Sequence, residues 1–278
     1  MYFDKKKLGI MQGRLSPIYN NKIQSFPTYH WSNEFKKIKE LNLRLLEWTL
    51  DHNRILKNPI NTDIGIKKII QLKKKYKIKI ESLTGDCFMQ KPFWKEKGYK
   101  KKNLINILKL VIINSSKVGI KKIILPLVDN GSINNNVQYK ALVSSLRKIT
   151  PLLKVNNQQI LFELNFNPKK ALKFIKKFNK KHFGINYDIG NSSSLGFKPE
   201  DEIKTYGHYI KNVHIKDRYF RGTTVRLGRG DADFNEVFIN LKNIKYNGNF
   251  ILQTARAKKG QHKKEISINL NYLKKWFY

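Results

Sequence analysis

The sequence predicts an α/β fold, and within that class a single (β/α)8 barrel, or TIM barrel, over residues 1–278. Short apolar runs rich in β-branched residues alternate with longer stretches of helical periodicity, eight of each. A chain of 278 residues also matches the usual size of one such barrel. An open, doubly wound sheet is the alternative, but it rarely needs eight such units.

The strands are predicted from the apolar runs at Lys7–Met11, Arg44–Trp48, Ile78–Leu83, Lys121–Leu125, Gln159–Glu163, Phe183–Asp188, Ile210–Ile215 and Asn249–Leu252. The helices between and after them are predicted at Ser32–Leu41, Ile64–Tyr76, Tyr99–Val118, Val137–Lys154, Pro168–Asn179, Pro199–Tyr206, Phe234–Ile244 and Lys264–Phe277. Pro168 and Pro199 suit the first turn of a helix. Asn42, Gly119 and Gly207 stand where helices should end.

The composition predicts a globular, cytoplasmic protein with no membrane partner. Hydrophobic residues make up 40% of the chain, yet no apolar run approaches the roughly 20 residues of a membrane span. The opening residues Met-Tyr-Phe-Asp-Lys-Lys-Lys lead into no apolar signal segment. The single cysteine, Cys87, excludes an internal disulfide and suits a reducing compartment.

The formal net charge of +36 raises the question of a nucleic-acid partner. The chain is also crowded with Lys, Asn and Ile, the residues that AT-rich codons supply. Its lysines are spread over nearly every predicted helix and form no basic tail. We therefore expect no specific nucleic-acid partner, and any binding to DNA or RNA should be weak and should fade as salt rises.

Four polar residues close short apolar runs in the second half of the chain: Glu163, Asp188, His214 and Gln253. A buried strand rarely ends on a carboxylate or an imidazole unless something there needs it. The carboxyl ends of all barrel strands meet at one face, where barrel active sites are built. Two carboxylates and one imidazole suit Mn²⁺, Mg²⁺, Co²⁺ or Zn²⁺. The pattern predicts one divalent metal at that face.

Four segments resemble the xylose-isomerase-like TIM barrels, the sugar phosphate isomerase/epimerase superfamily. They are Leu8-Gly-Ile-Met-Gln-Gly-Arg14, Asn186-Tyr-Asp-Ile-Gly-Asn191, Asn212-Val-His-Ile-Lys-Asp-Arg218 and Leu227-Gly-Arg-Gly-Asp-Ala-Asp-Phe234. The last is similar to the family's Gly-x-Gly-x-x-Asp-Phe segment. The resemblance covers nearly the whole chain and implies a metal-dependent sugar isomerase or epimerase.

In that family a metal is typically held by Glu, Asp, His and a second Glu, and the two glutamates form the acid/base pair. The resemblance carries the first three roles to Glu163, Asp188 and His214. The fourth position holds Gln253. Its amide oxygen can ligate a metal as a weaker fourth ligand, but it cannot carry a proton at neutral pH. A glutamine in place of the second glutamate is therefore compatible with a metal site, but it removes one member of the family's acid/base pair.

One clear base, Glu163, predicts an aldose–ketose isomerisation through an enediolate, with the proton removed and returned on one face. A second acid could come from Glu47, which ends the second strand, or from Lys216 or Asp217. The alternatives are that Glu47 binds a sugar hydroxyl and that Lys216 and Asp217 form a local ion pair. Binding or structural roles are favoured for all three.

The arginines indicate an anionic small-molecule sugar. In a chain that uses Lys so freely, an Arg is favoured where its planar fork must hold a carboxylate or phosphate. Seven of the nine arginines follow predicted strands. The candidates for substrate binding are Arg14, Arg218, Arg226, Arg229 and Arg256.

Two other functions remain open at this level. The superfamily also contains zinc-dependent abasic-site endonucleases, which the charge favours, but only His214 among the six histidines clearly stands on a strand end. A non-catalytic, ligand-binding barrel is the other alternative, with Gln253 marking lost activity. The sequence names neither the sugar nor the metal, and a homo-oligomer is left open.

Overall fold

Eight parallel strands form a closed barrel, which confirms the predicted fold class. The computed structural model describes residues 2–18 and 24–278. The strand bounds are β1 Leu8–Met11, β2 Leu45–Thr49, β3 Lys79–Thr84, β4 Lys122–Leu127, β5 Gln159–Leu164, β6 Phe183–Asp188, β7 Ile210–Ile215 and β10 Asn249–Leu252. Around the barrel these strands follow the order β1-β10-β7-β6-β5-β4-β3-β2. Each predicted strand is present, and its ends shift by at most two residues.

The helices that surround the barrel are α1 Trp31–Glu40, α2 Asp63–Tyr76, α4 Gly98–Lys117, α5 Asn136–Val155, α6 Pro168–Ile175, α8 Pro199–Tyr206, α9 Phe234–Asn243 and α10 His262–Leu273. All eight were predicted. Two helices end earlier than predicted: α6 ends at Ile175 rather than Asn179, and α10 ends at Leu273 rather than Phe277. In the parts of the chain that the structure describes, none of the helices has the length and apolar character needed to cross a membrane.

Besides single-turn 3-10 helices, three short elements of the described chain were not predicted, and these three lie at the carboxyl end of the barrel. They are helix α3 (Asp86–Gln90), helix α7 (Ile189–Ser194) and a hairpin of β8 (Asp217–Arg218) with β9 (Thr224–Val225). Each is too short to show a period in the sequence. Helix α7 begins directly after β6, because the side chain of Asp188 accepts a hydrogen bond from the Asn191 N–H at 2.8 Å.

Aromatic side chains fill the space between the barrel and its helices. The ring of Phe162 on β5 lies 5.0 Å from the rings of Phe174 and Phe178 and stacks on Phe183 of β6 at 5.9 Å. A second group closes the barrel near the chain ends, where Phe3 contacts Phe250 at 4.7 Å. The outer core is therefore apolar, and the carboxyl ends of the strands carry the polar groups.

The register of the strands brings those polar ends to one level. Asp188 on β6 is the direct partner of His214 on β7, and Ile251 of β10 is the partner of His214 on the other side. The backbone N–H of Gln253 donates to the carbonyl of Ile215 at 3.0 Å, one step beyond that pairing. The barrel thus places these strand ends around one opening.

Replacing Phe162 by alanine should lower the free energy of unfolding by about 3–5 kcal/mol, because the cavity would lie among buried rings that cannot collapse into it. Denaturant titration followed by circular dichroism measures the loss. Ile239→Ala on α9 is the control, since Ile239 is 60% exposed and its loss should change stability by at most about 0.5 kcal/mol. A similar small loss for Phe162→Ala would contradict the packing described.

Candidate metal and proton-transfer site

Glu163, Asp188 and His214 come together at the carboxyl ends of β5, β6 and β7. One ligand atom from each lies within 4.8 Å of the others, and all three side chains are buried. Three of the four residues grouped from the sequence therefore lie together in the fold. His214 is the one histidine in it, and the five others lie elsewhere in the chain.

His214 is fixed by contacts on both ring nitrogens. Its Nε2 lies 2.7 Å from Oε1 of Glu47, and its Nδ1 lies 3.3 Å from Glu163 Oε2 and 3.8 Å from Asp188 Oδ2. Burial by itself lowers the pKa of His214, but Glu47, Asp188 and Glu163 together raise that pKa well above its usual value. An imidazole held on Nε2 by a carboxylate presents Nδ1 to a metal, and a bound cation would take the place of the proton.

Glu47 is completely buried, and both of its carboxylate oxygens are engaged. Oε1 accepts a hydrogen bond from Thr84 Oγ1 at 2.5 Å, besides its contact with His214. Oε2 accepts from Ser82 Oγ at 2.7 Å and from Asn212 Nδ2 at 3.1 Å. Burial raises the pKa of Glu47, but His214 and the hydroxyl donors outweigh it and lower the pKa. This placement favours orienting His214 over the proton transfer or sugar binding considered from sequence.

Glu163 is oriented by two asparagine amides that the sequence reasoning did not single out. Asn191 Nδ2 donates to Oε1 at 2.7 Å, and Asn186 Nδ2 donates to Oε2 at 3.1 Å. Arg218 Nη1 in turn donates to Asn191 Oδ1 at 2.9 Å. Both oxygens of Glu163 thus accept hydrogen bonds from N–H donors, which hold the carboxylate in one orientation. Both amides belong to the segment 186–191 that carried the family resemblance, which was the available signal.

Lys216 and Asp217 do not pair with each other, so the local ion pair considered from sequence is wrong. Lys216 Nζ lies 2.6 Å from Asp188 Oδ2. Asp217 instead accepts hydrogen bonds from the backbone N–H groups of Gly228, Arg229, Gly230 and Ala232. Asp217 therefore holds the glycine-rich loop, and a Cβ at position 230 would collide with its Oδ1.

Gln253 is buried and points its amide N–H at a second glutamine. Its Nε2 donates to Gln24 Oε1 at 3.3 Å, whereas its Oε1 has no hydrogen-bond donor among the residues described. Asp188 Oδ2 also lacks a well-oriented donor, although the Lys216 ammonium is close. Buried oxygens without donors are costly unless something pairs with them. Two carboxylates, an imidazole and such an amide oxygen fit a divalent cation.

Asp86 is a buried carboxyl group beside the site that sequence reasoning missed. It is the first residue of the short helix α3, and Gln24 Nε2 donates to its Oδ2 at 2.9 Å. Burial raises the pKa of Asp86 to about 7, and the charge of Glu163 adds to the rise, while Gln24, Arg14 and His214 oppose it. The residue stood in a loop between predicted elements, so no strand-end pattern marked it.

The five candidate arginines divide by their partners. Arg14 is buried, its Nε has no acceptor in the described residues, and its Nη2 reaches Gln24 Oε1 only at 3.5 Å. Arg256 donates to the carbonyls of Gly13 and Ser16, and Arg218 to that of Gly222 and to Asn191. Arg226 pairs with Glu265 at 2.7 Å, and Arg229 is exposed. The guanidinium of Arg14 is thus the least satisfied of the five, and burial with Arg256 nearby lowers its pKa to about 9.

A surface cavity of about 490 Å³ lies at the same end of the barrel but beside the cluster. It is lined by residues of the loops after β4 and β5 and of helix α6, among them Ile133, Phe166 and Lys170. None of the three clustered residues lines it. The titratable groups converge at the buried polar cluster and not at this cavity.

A sequence profile of the family described as xylose isomerase-like TIM barrel matches residues 35–276. An uncharacterised protein of Methanocaldococcus jannaschii is 28% identical over 106 residues. The match covers 37% of this chain and only 36% of that relative's length. The crystal structure of D-psicose 3-epimerase from Clostridium cellulolyticum H10 with D-tagatose has a TM-score of 0.77 at 15% identity, over 95% of this chain and 97% of that one. The crystal structure of 3-keto-D-glucoside 4-epimerase from E. coli has a TM-score of 0.69 at 17% identity, over 96% of this chain and 100% of that one. At these identities the structural likeness shows a shared fold.

Asp86→Asn should change how stability depends on pH. The pKa of Asp86 rises from 3.8 to about 7 in the folded protein, so the fold holds this proton more tightly than the unfolded chain does. That stabilisation is complete below the unfolded pKa and is lost as the pH rises through the folded pKa. Denaturant titrations without metal should show the parent gaining stability over the variant as pH falls from about 8 to about 5. A constant difference across that range would contradict the assignment.

Proposed function

We propose that this chain, which belongs to the family of xylose isomerase-like TIM barrels, is a metal-dependent isomerase or epimerase of an anionic sugar that works through an enediolate. One observation carries the proposal. Glu163, Asp188 and His214 converge within 4.8 Å at the carboxyl end of the barrel, buried where an apolar core would otherwise continue. The structural likeness to two sugar epimerases supports the same class of substrate.

The metal would be held by Glu163, Asp188 and His214, with the amide oxygen of Gln253 as a weaker fourth ligand. The amide oxygen of Gln253, which has no donor among the described residues, supports this set. When bound, a divalent ion supplies Lewis-acid polarisation of a sugar carbonyl and its neighbouring hydroxyl. Glu47 keeps the ring of His214 in the orientation that such a site needs.

Glu163 would remove the proton from the carbon next to the carbonyl. Its carboxylate is held by Asn186 and Asn191, so it need not reorient before it takes the proton. The ammonium of Lys216 already forms a salt bridge with Asp188, and Lys216 is 9% exposed. We assign Lys216 to the electrostatic balance of the cluster and Glu163 to the proton transfer.

Arg14 would bind the anionic group of the sugar. The buried guanidinium of Arg14 has no acceptor for its Nε among residues 2–18 and 24–278, which costs free energy unless a ligand supplies one. Phosphate and carboxylate both match its planar fork. The other sequence candidates are less available, because Arg218, Arg226 and Arg256 are already bonded to groups of the chain.

Glu163→Gln should keep the fold and lower turnover by about 10²–10⁴-fold, because a general base is removed. Turnover of ketohexoses and their 6-phosphates with added Mn²⁺ is the measurement, and chelation of the metal should abolish it in the parent. Glu265→Gln is the control, a carboxylate on helix α10 that pairs with Arg226 away from the cluster. Full activity of Glu163→Gln, or of the chelated parent, would refute the proposed chemistry.

Arg14→Lys should raise KM for a phosphorylated or carboxylated sugar by roughly ten- to a hundredfold, since a charge-assisted, forked contact is worth about 1.5–3 kcal/mol. The effect on neutral sugars should be smaller. Arg147→Lys serves as the control, because Arg147 is exposed on helix α5. Equal KM changes for charged and neutral sugars would show that Arg14 does not bind the anion.

A further inference from the structure

Asp86 closely follows β3, which is two strands away from β5 and its Glu163 in the ring of eight. Its hydrogen-bond partner Gln24 belongs to the loop after β1, and β1 is four strands away from β5. Gln24 donates to Asp86 Oδ2 at 2.9 Å and accepts from Gln253 Nε2 at 3.3 Å. A continuous chain of hydrogen bonds therefore joins Asp86 to the position where the resemblance leads one to expect a second glutamate.

The surroundings of Asp86 differ from those of Glu163. Asp86 is 2% exposed, and the one donor described for it is Gln24. Glu163 has an amide donor on each oxygen. The charged groups that act on Asp86 are Glu163 from β5, Arg14 from the loop after β1 and His214 from β7. Burial and the charge of Glu163 raise the pKa of Asp86 to about 7, so this carboxyl group can hold a proton near neutral pH and give it up.

We propose that Asp86 is the second proton carrier of this site and that the enzyme is therefore an epimerase. The inference rests on the proposed function. Glu163 takes the proton from the carbon beside the carbonyl, and the electron pair of the broken C–H bond passes into the enediolate. Asp86 then gives its proton to the opposite face of that carbon, and the electron pair of its O–H bond stays on the carboxylate. Water returns a proton to Asp86 and takes one from Glu163, so the sugar changes only its configuration.

The test follows two events separately in deuterated water with Mn²⁺: exchange of the proton beside the carbonyl, and formation of the epimer. The probes are D-fructose, D-psicose, D-tagatose and their 6-phosphates, read by NMR. The parent should do both. Asp86→Asn should keep the exchange, which needs Glu163, and should lose epimer formation by about 10²-fold or more. A loss through mere structural damage would lower both together.

Two further variants sharpen the result. Glu202→Gln removes another buried carboxyl group with a pKa raised to about 7, which is bonded to Tyr187, Ser192 and Tyr206 outside the cluster; it should epimerise like the parent. Adding Gln253→Glu to Asp86→Asn should restore inversion, because it returns a carboxyl group to the end of the same hydrogen-bond chain.

The outcomes are distinguishable. Exchange without epimer formation in the parent would overturn the role of Asp86 and leave the proposed function standing. Epimer formation by Asp86→Asn at the parent's rate would overturn that role as well. A parent that neither exchanges nor inverts any of these sugars would overturn both the role of Asp86 and the proposed function.

Discussion

The buried contact between Glu47 and His214 is the interaction on which the rest of the site depends. It joins β2 to β7, which are not neighbours in the ring, and both side chains are fully enclosed. A buried ion pair needs further hydrogen bonds to offset its desolvation, and Ser82, Thr84 and Asn212 supply them to Glu47. The ring of His214 is thereby fixed, and Nδ1 is turned toward Glu163 and Asp188.

The loop after β1 is the second constraint, because it brings Arg14 and Gln24 to the site. Buried Glu34 of α1 accepts the backbone N–H groups of Gly13 and Leu15 and the hydroxyl of Ser16. Arg256 bonds the carbonyl groups of the same loop. Gly13 has a φ of 91°, a conformation that side chains rarely adopt. The start of this loop, residues 13–16, is thus held from α1 and from the segment after β10.

Two carboxyl groups near one opening have environments that separate their roles. Amide donors orient both oxygens of Glu163, whereas burial and the charge of Glu163 raise the pKa of Asp86 to about 7. A carboxyl group with such a pKa can hold a proton near neutral pH and give it up. It also removes the difficulty posed by Gln253, because the second proton carrier need not stand on the last strand.

The barrel could be predicted from the sequence because alternation of apolar runs and helical periods is a local property. The ends of β6, β7 and β10 were predicted to the residue, since Asp188, Ile215 and Leu252 close their runs. Strand ends in a parallel barrel share one face, so Glu163, Asp188 and His214 could be grouped from their positions in the chain. The short elements α3 and α7 could not be predicted, because they have too few residues to show a period.

The amino-acid sequence was enough to establish the fold class, the succession of strands along the chain and the face on which polar strand ends meet. Which polar residues touch was set by the folded chain. It pairs Glu47 with His214. Lys216 and Asp217 were considered as an ion pair with each other, but Lys216 pairs with Asp188 and Asp217 accepts hydrogen bonds from the glycine-rich loop. The folded chain also bonds Gln24 to Asp86 on one side and to Gln253 on the other. Those contacts join residues that are distant in the chain. They depend on strand register, on burial and on the course of the loops, and a local sequence pattern does not determine any of these.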